Sequence, residues 1–161
     1  MKTKTDPSII HSTFVIERTY PAKPERVFDA FADSKKKQRW FVESDHNEVE
    51  HFEQDFRAGG KEQARFRFIQ KGTPVTGMTC INDTVYQDIV QNRRIVLAST
   101  MNIGGRCISA SLVTFEFLPA AKGTDLICTH QGAFFEGSDG PKMRQEGWET
   151  LLDQLSKEFA A

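Results

Sequence analysis

The stretch from Pro141 to Phe159, PKMRQEGWETLLDQLSKEF, constrains the fold more than any other part of the chain. Its large apolar residues, Trp148, Leu151, Leu152, Leu155 and Phe159, recur at helical spacing and form one stripe. Arg144, Gln145, Glu149, Asp153, Gln154 and Lys157 fill the other side, and Pro141 suits a first turn, where its missing N–H costs nothing. A helix of that length extends about 28 Å. Strands in a sheet lie about 4.8 Å apart, so such a helix crosses roughly six or seven of them. The sequence before it reads mostly as strand. The expected architecture is α+β, one long helix laid over a single antiparallel sheet with space between the two.

Taken in order, residues 1–11 read as a polar lead-in, and residues 12–161 as one domain. Ser12 to Tyr20 alternates, with Phe14, Ile16 and Tyr20 on one side and Arg18 falling among them. Two short helices follow. Val27, Phe28, Ala30 and Phe31 carry the first, and Asp33-Ser34 caps a second over Lys35 to Trp40. Glu48 to Phe56 predicts a strand with Phe52 and Phe56 on one face, ending in a turn at Gly59-Gly60 where Gly60 takes positive φ. Glu62 to Ile69 points Ala64, Phe66 and Phe68 inward. Gly77 to Val90 is one long strand, or two joined by a bend near Asn82-Asp83, and Arg94 to Asn102 follows. Cys107 to Leu118 then shares Ser109, Ser111, Val113, Phe115 and Phe117 on one face, and Thr124 to Gln131 shares Leu126, Cys128 and His130. The connection Gly132 to Gly140 reads either as a hinged lid or as a fixed loop tucking Phe134 and Phe135 into the core.

Composition narrows the function by exclusion. The chain has 21 basic and 22 acidic residues, and the short run Lys35-Lys36-Lys37 reads as a solvated helix face, so nucleic-acid binding is not expected. Thirteen Phe against two Tyr and two Trp suit either broad apolar cavity walls or simply a well-filled core. Cys80, Cys107 and Cys128 are widely spaced in strands, which predicts reduced, buried thiols rather than a zinc site. No leader and no membrane-spanning run is visible, so a cytoplasmic protein, monomer or homodimer, is expected.

Certain segments resemble a known family. They are Ile16 to Tyr20 with Pro24, Glu25, Val27 and Phe28; Trp40; Asp55 to Gly60; Tyr86 to Val90; Ser111 to Phe117; Gly123 to Leu126; and Gly147-Trp148 before Leu151-Leu152. Together they are similar to the helix-grip superfamily (SRPBCC, START-like), which includes lipid-transfer domains and polyketide cyclases. More narrowly they resemble the branch named after the activator of the heat-shock-protein-90 ATPase. The resemblance implies a curved sheet gripping the C-terminal helix around a cavity. It implies no single activity, since members bind lipids or aromatic metabolites, cyclise polyketides, or act in stress resistance.

The sequence holds no nucleophile elbow or metal cluster, and Gly59-Gly60-Lys61 lacks the rest of a phosphate loop. His46, His51 and their acidic neighbours read as a solvent-facing edge. His130 either orients a ligand or acts as an acid/base near neutral pH, or is simply a strand-end histidine bonded to a loop. No cofactor and no metal is expected. The expected function is binding of a small apolar or aromatic molecule, not catalysis. Phe66, Phe68, Met101, Phe115, Phe117, Trp148 and Leu152 line the pocket, and His130 with Ser109 or Ser111 orients the ligand. The alternatives are a cyclase- or dehydratase-type enzyme on the same cavity, and a chaperone-interacting stress-response module. A cavity free of charged pairs favours the first reading.

Overall fold

Seven antiparallel strands form one open sheet in the order β1-β7-β6-β5-β4-β3-β2, and a long helix lies across its concave face. The computed structural model describes residues 8–160. The strands are β1 (Ile10–Tyr20), β2 (Asn47–Gln54), β3 (Lys61–Phe68), β4 (Thr79–Val90), β5 (Arg94–Ile103), β6 (Arg106–Ala120) and β7 (Gly123–Phe134). The helices are α1 (Pro24–Ala32) and α2 (Ser34–Phe41), both between β1 and β2, and α3 (Gly140–Ser156), which runs into a 3-10 turn at Lys157–Phe159. The α+β architecture expected from the sequence is present. Of the expected lead-in, residues 1–7 lie outside the described residues, and β1 already begins at Ile10.

Local chemistry explains most boundaries. Pro24 opens α1, and the Asp33 carboxylate accepts from Lys36 N to cap α2. The Trp40 indole donates to Ala30 O at 2.8 Å, fixing α2 against α1. The Tyr20 hydroxyl donates to Leu152 O at 2.9 Å, and Arg18 pairs with Asp153, so β1 is tied to α3 at the sheet edge. Between Asp55 and Lys61 the glycines divide two tasks. Gly59 holds φ +82°, whereas Gly60 has ordinary φ and is needed because a Cβ there would stand 2.0 Å from Asp55 O. That corrects the expectation that Gly60 takes the positive φ.

Other boundaries moved. β2 ends at Gln54, so Phe56 leaves the face of Phe52 and joins Phe28 and Tyr86 in the main core. β4 is one strand, and its irregularity falls between Tyr86 and Asp88 rather than near Asn82-Asp83. β7 runs on to Phe134, so Gly132 is a strand residue and not a hinge. A Cβ on Gly132 would lie 2.9 Å from both His130 Cε1 and Phe134 Cε2, so glycine there makes room for two rings. Cys80 and Cys128 are buried as expected, and burial pushes both thiols up to about 12, but Cys107 is exposed.

Two apolar clusters hold the molecule. The larger joins β1, β4, β5, β6, β7, α1 and α2 to Leu152 and Leu155 in the C-terminal half of α3 and to Phe159 just beyond it. The smaller, Val42, Ala64, Phe66 and Cys80, sits on the β3–β4 side. Between them, under the N-terminal half of α3, the space is unfilled.

Candidate functional site

That space is a cavity of about 420 Å³ between α3 and the concave faces of β3 to β7. Met143, Gly147, Trp148 and Leu151 of α3 roof it, and Phe41 of α2 closes one side. Met143 is 63% exposed and Gly147 is exposed too, so the cavity reaches solvent along the first turns of α3. Gly147 leaves open room, since a Cβ there would meet nothing within 4 Å. Phe66, Phe68, Met101, Leu97 and Val113 make the apolar walls.

Seven of the ten residues expected at the pocket do line this cavity: Phe66, Phe68, Met101, Ser109, Ser111, His130 and Trp148. Phe115, Phe117 and Leu152 do not. They are fully buried in the larger cluster, where Phe31 packs on both phenyl rings. The reason is position along the strand and helix. Side-chain period fixes which face a residue takes but not how far along the cavity extends, and these three lie at the filled end.

His130 is 1% exposed and stacked on Phe14, with centroids 4.6 Å apart and planes 6° apart. Burial, reinforced by the nearby Arg144 charge, lowers its pKa to about 4. It is therefore a neutral imidazole near pH 7. Its Nδ1 has no hydrogen-bond partner, and neither does the buried Ser111 hydroxyl. Ser109, by contrast, is engaged. It accepts from Arg144 Nη2 at 2.9 Å.

The structure brings two ion pairs to the wall that sequence reasoning missed. Arg144, placed on the polar side of the helix stripe by its spacing, is buried, and it grips Asp139 with two bonds of 2.8 Å while its guanidinium lies 5.2 Å from the Phe134 centroid. Burial pushes the Asp139 carboxyl up, but the Arg144 hydrogen bonds and charge outweigh it and hold the acid below its usual value. Lys37 is the second surprise. Within a run that reads as a solvated face, it is only 3% exposed, as is Glu62, and its Nζ donates to Glu62 Oε1 at 3.1 Å. Tyr86 donates to the same oxygen at 2.5 Å and accepts from Gln54 at 2.9 Å, while Lys37 Nζ sits 4.6 Å from the Phe41 ring centroid. The signals were present but weak. Lys37 stands three residues before Trp40 on one face of α2, and Glu62 two before Ala64 on one face of β3.

The cavity is thus not free of charged pairs, the condition that would have favoured simple binding outright, and chemistry must be judged on how the pairs are used. Each carboxylate is taken by its own cation, and among the described residues no group of His, Cys, Asp and Glu could hold a metal. No described helix is long and apolar enough to cross a membrane. The site is thus an apolar chamber with neutralised charges and an unpartnered hydroxyl and imidazole nitrogen in its wall.

Comparison with known proteins agrees with the fold. The sequence pattern of the family described as Activator of Hsp90 ATPase homolog 1-like protein matches residues 21–160. A solved protein from Rhizobium loti is 47% identical, covering 94% of this chain and 99% of its own, with a TM-score of 0.82. One from Rhizobium leguminosarum is 35% identical over 94% of this chain and 96% of its own, with a TM-score of 0.84. The AHSA1-like protein from Aeromonas hydrophila, at 18% identity over 91% of each chain and a TM-score of 0.66, shares the fold. No curated protein matches this chain.

Proposed function

The chain belongs to the family of activator of heat-shock-protein-90 ATPase homologues, and from that premise we propose that it binds a small hydrophobic or aromatic molecule between α3 and the sheet. The observation that carries this reading is the apolar cavity of about 420 Å³ with two buried polar atoms left unpartnered in its wall. Unpartnered polar groups are costly in a finished core and are natural where a ligand completes the site. The enzymatic alternative is weaker, because burial keeps His130 neutral near pH 7 and the carboxylates of Glu62 and Asp139 are both paired. Docking of a chaperone has less support, since on the outer face of the sheet Val15 and Leu112 are separated by β7, whose intervening residues Thr129 and Gln131 are polar. The three free thiols suit the reducing cytoplasm expected of the protein.

Equilibrium dialysis with naphthalene and related aromatics tests the reading. Binding should saturate at one site per chain, with affinity near the micromolar range, about 8 kcal/mol. Gly147→Leu places a side chain in the open space at the roof and should weaken binding without unfolding the protein. Normal folding with undiminished binding in that variant would move the site elsewhere.

A further inference from the structure

The cavity floor has a regularity that strand register makes visible. Glu62 of β3 pairs with Thr84 of β4, Thr84 with Ser99 of β5, and Ser99 with Ser111 of β6. All four line the cavity, so one polar row crosses a floor that is otherwise largely apolar. The row is closed at the β3 end, where Lys37 and Tyr86 occupy the Glu62 carboxylate. It is open at the other. Thr84 donates to Ser99 Oγ at 3.1 Å, which leaves the Ser99 hydrogen free, and Ser111 Oγ has no partner.

Two further facts limit what can settle there. Side chains paired directly across adjacent strands stand about 4.5–5.5 Å apart at Cβ. Two oxygens in a 1,3 relation on an aromatic ring stand at very nearly that separation, so each can meet one serine with neither hydrogen bond bent. Oxygens in adjacent positions are too close together for this, and oxygens on opposite sides of fused rings diverge. The second fact is charge. Lys37 with Glu62 and Arg144 with Asp139 are each neutralised within the wall, so an ionised ligand would be desolvated without gaining a free counter-charge.

Resting on the binding function proposed above, we propose that the ligand is an uncharged aromatic molecule bearing 1,3-related hydroxyl or carbonyl oxygens, which lie along Ser99 and Ser111 while its ring body meets Trp148 and Met101. The row then acts as a ruler whose graduations are the strands themselves.

Equilibrium dialysis of the full chain against four probes tests this: naphthoresorcinol, its isomer with one hydroxyl on each ring, naphthalene, and naphthoate. Naphthoresorcinol should bind most tightly, ahead of the isomer by about fivefold, the worth of one net hydrogen bond. Ser99→Ala and Ser111→Ala should each remove about that factor for naphthoresorcinol and leave naphthalene unchanged, a discrimination that general loosening of the fold would not produce. Equal binding of the two isomers, or naphthoate binding as tightly as naphthoresorcinol, overturns the inference while leaving the cavity reading intact. Saturable binding by none of the four overturns both.

Discussion

Glu62 accepts from Lys37 and Tyr86 where almost none of its surface is exposed, and what each partner is worth depends on what its loss leaves behind. Lys37→Met strands a buried carboxylate with one neutral donor, so it should cost about 3–5 kcal/mol in urea unfolding. Replacing both, Lys37→Met with Glu62→Met, should recover most of that loss, because an apolar pair of similar volume needs no counter-charge. A double variant as unstable as the single one would mean the pair also holds α2 in place. His130 gives a pH signature of its own. The unfolded chain takes up this proton near 6.5 and the folded chain only near 4, so stability falls as the pH drops through that window and is untouched above it. The shift corresponds to a loss on the order of 3 kcal/mol, complete only below the folded pKa. In His130→Phe, which keeps a ring on Phe14, this part of the acid limb should vanish from denaturation curves measured across the window. Gly59 and Gly60 make a third pair. Gly60→Ala drives a Cβ into Asp55 O and should cost about 1–3 kcal/mol, the range for overpacking. Gly59→Asn meets nothing and tolerates its positive φ, so its melting temperature should stay close to that of the wild type.

At the scale of elements, α3 is two helices in one. Its C-terminal half packs Leu152, Leu155 and, past the helix end, Phe159 into the main core, whereas its N-terminal half roofs the cavity. The stripe in the sequence does not announce this change, because Trp148 and Leu152 are equally apolar and one turn apart. Trp148 is only half-buried, with Phe41 and Phe115 at its edges, so its size overstates its contribution. Leu152→Ala should therefore cost about 2–5 kcal/mol and Trp148→Ala less, reversing the order that side-chain volume suggests; chemical denaturation of the two variants checks it. The same logic says what sequence could reveal. Strand alternation and helical spacing located the seven strands and three helices, and the inward faces of β1, β3, β6 and β7, since period is a local property; Phe56 escaped it because its strand ends at Gln54. The ion pairs were hidden because Lys37 looks like its solvated neighbours Lys35 and Lys36, and Arg144 like the rest of a polar helix side. Only the packing of α2 on β3, and of α3 on the Ser138-Asp139 turn, tells them apart.

At the scale of the molecule, the cavity exists because two apolar clusters are held apart by a sheet too wide for one helix to fill. The pairing of β1 with β7 has a consequence for how that arrangement comes about. β1 leaves the ribosome first, yet its partner in the sheet is the last strand, and β2 to β6 must all emerge between them. Those five strands each pair with their neighbour in sequence and can zip as they appear, while Phe14 and Ile16 stay uncovered. A released chain ending before Gly123 should leave β1 open to protease, and protection of β1 should appear only in chains long enough to include β7. The wall of the chamber is therefore complete only after β7 and α3 have followed the other elements, and any ligand present at that moment meets a protein still closing around it.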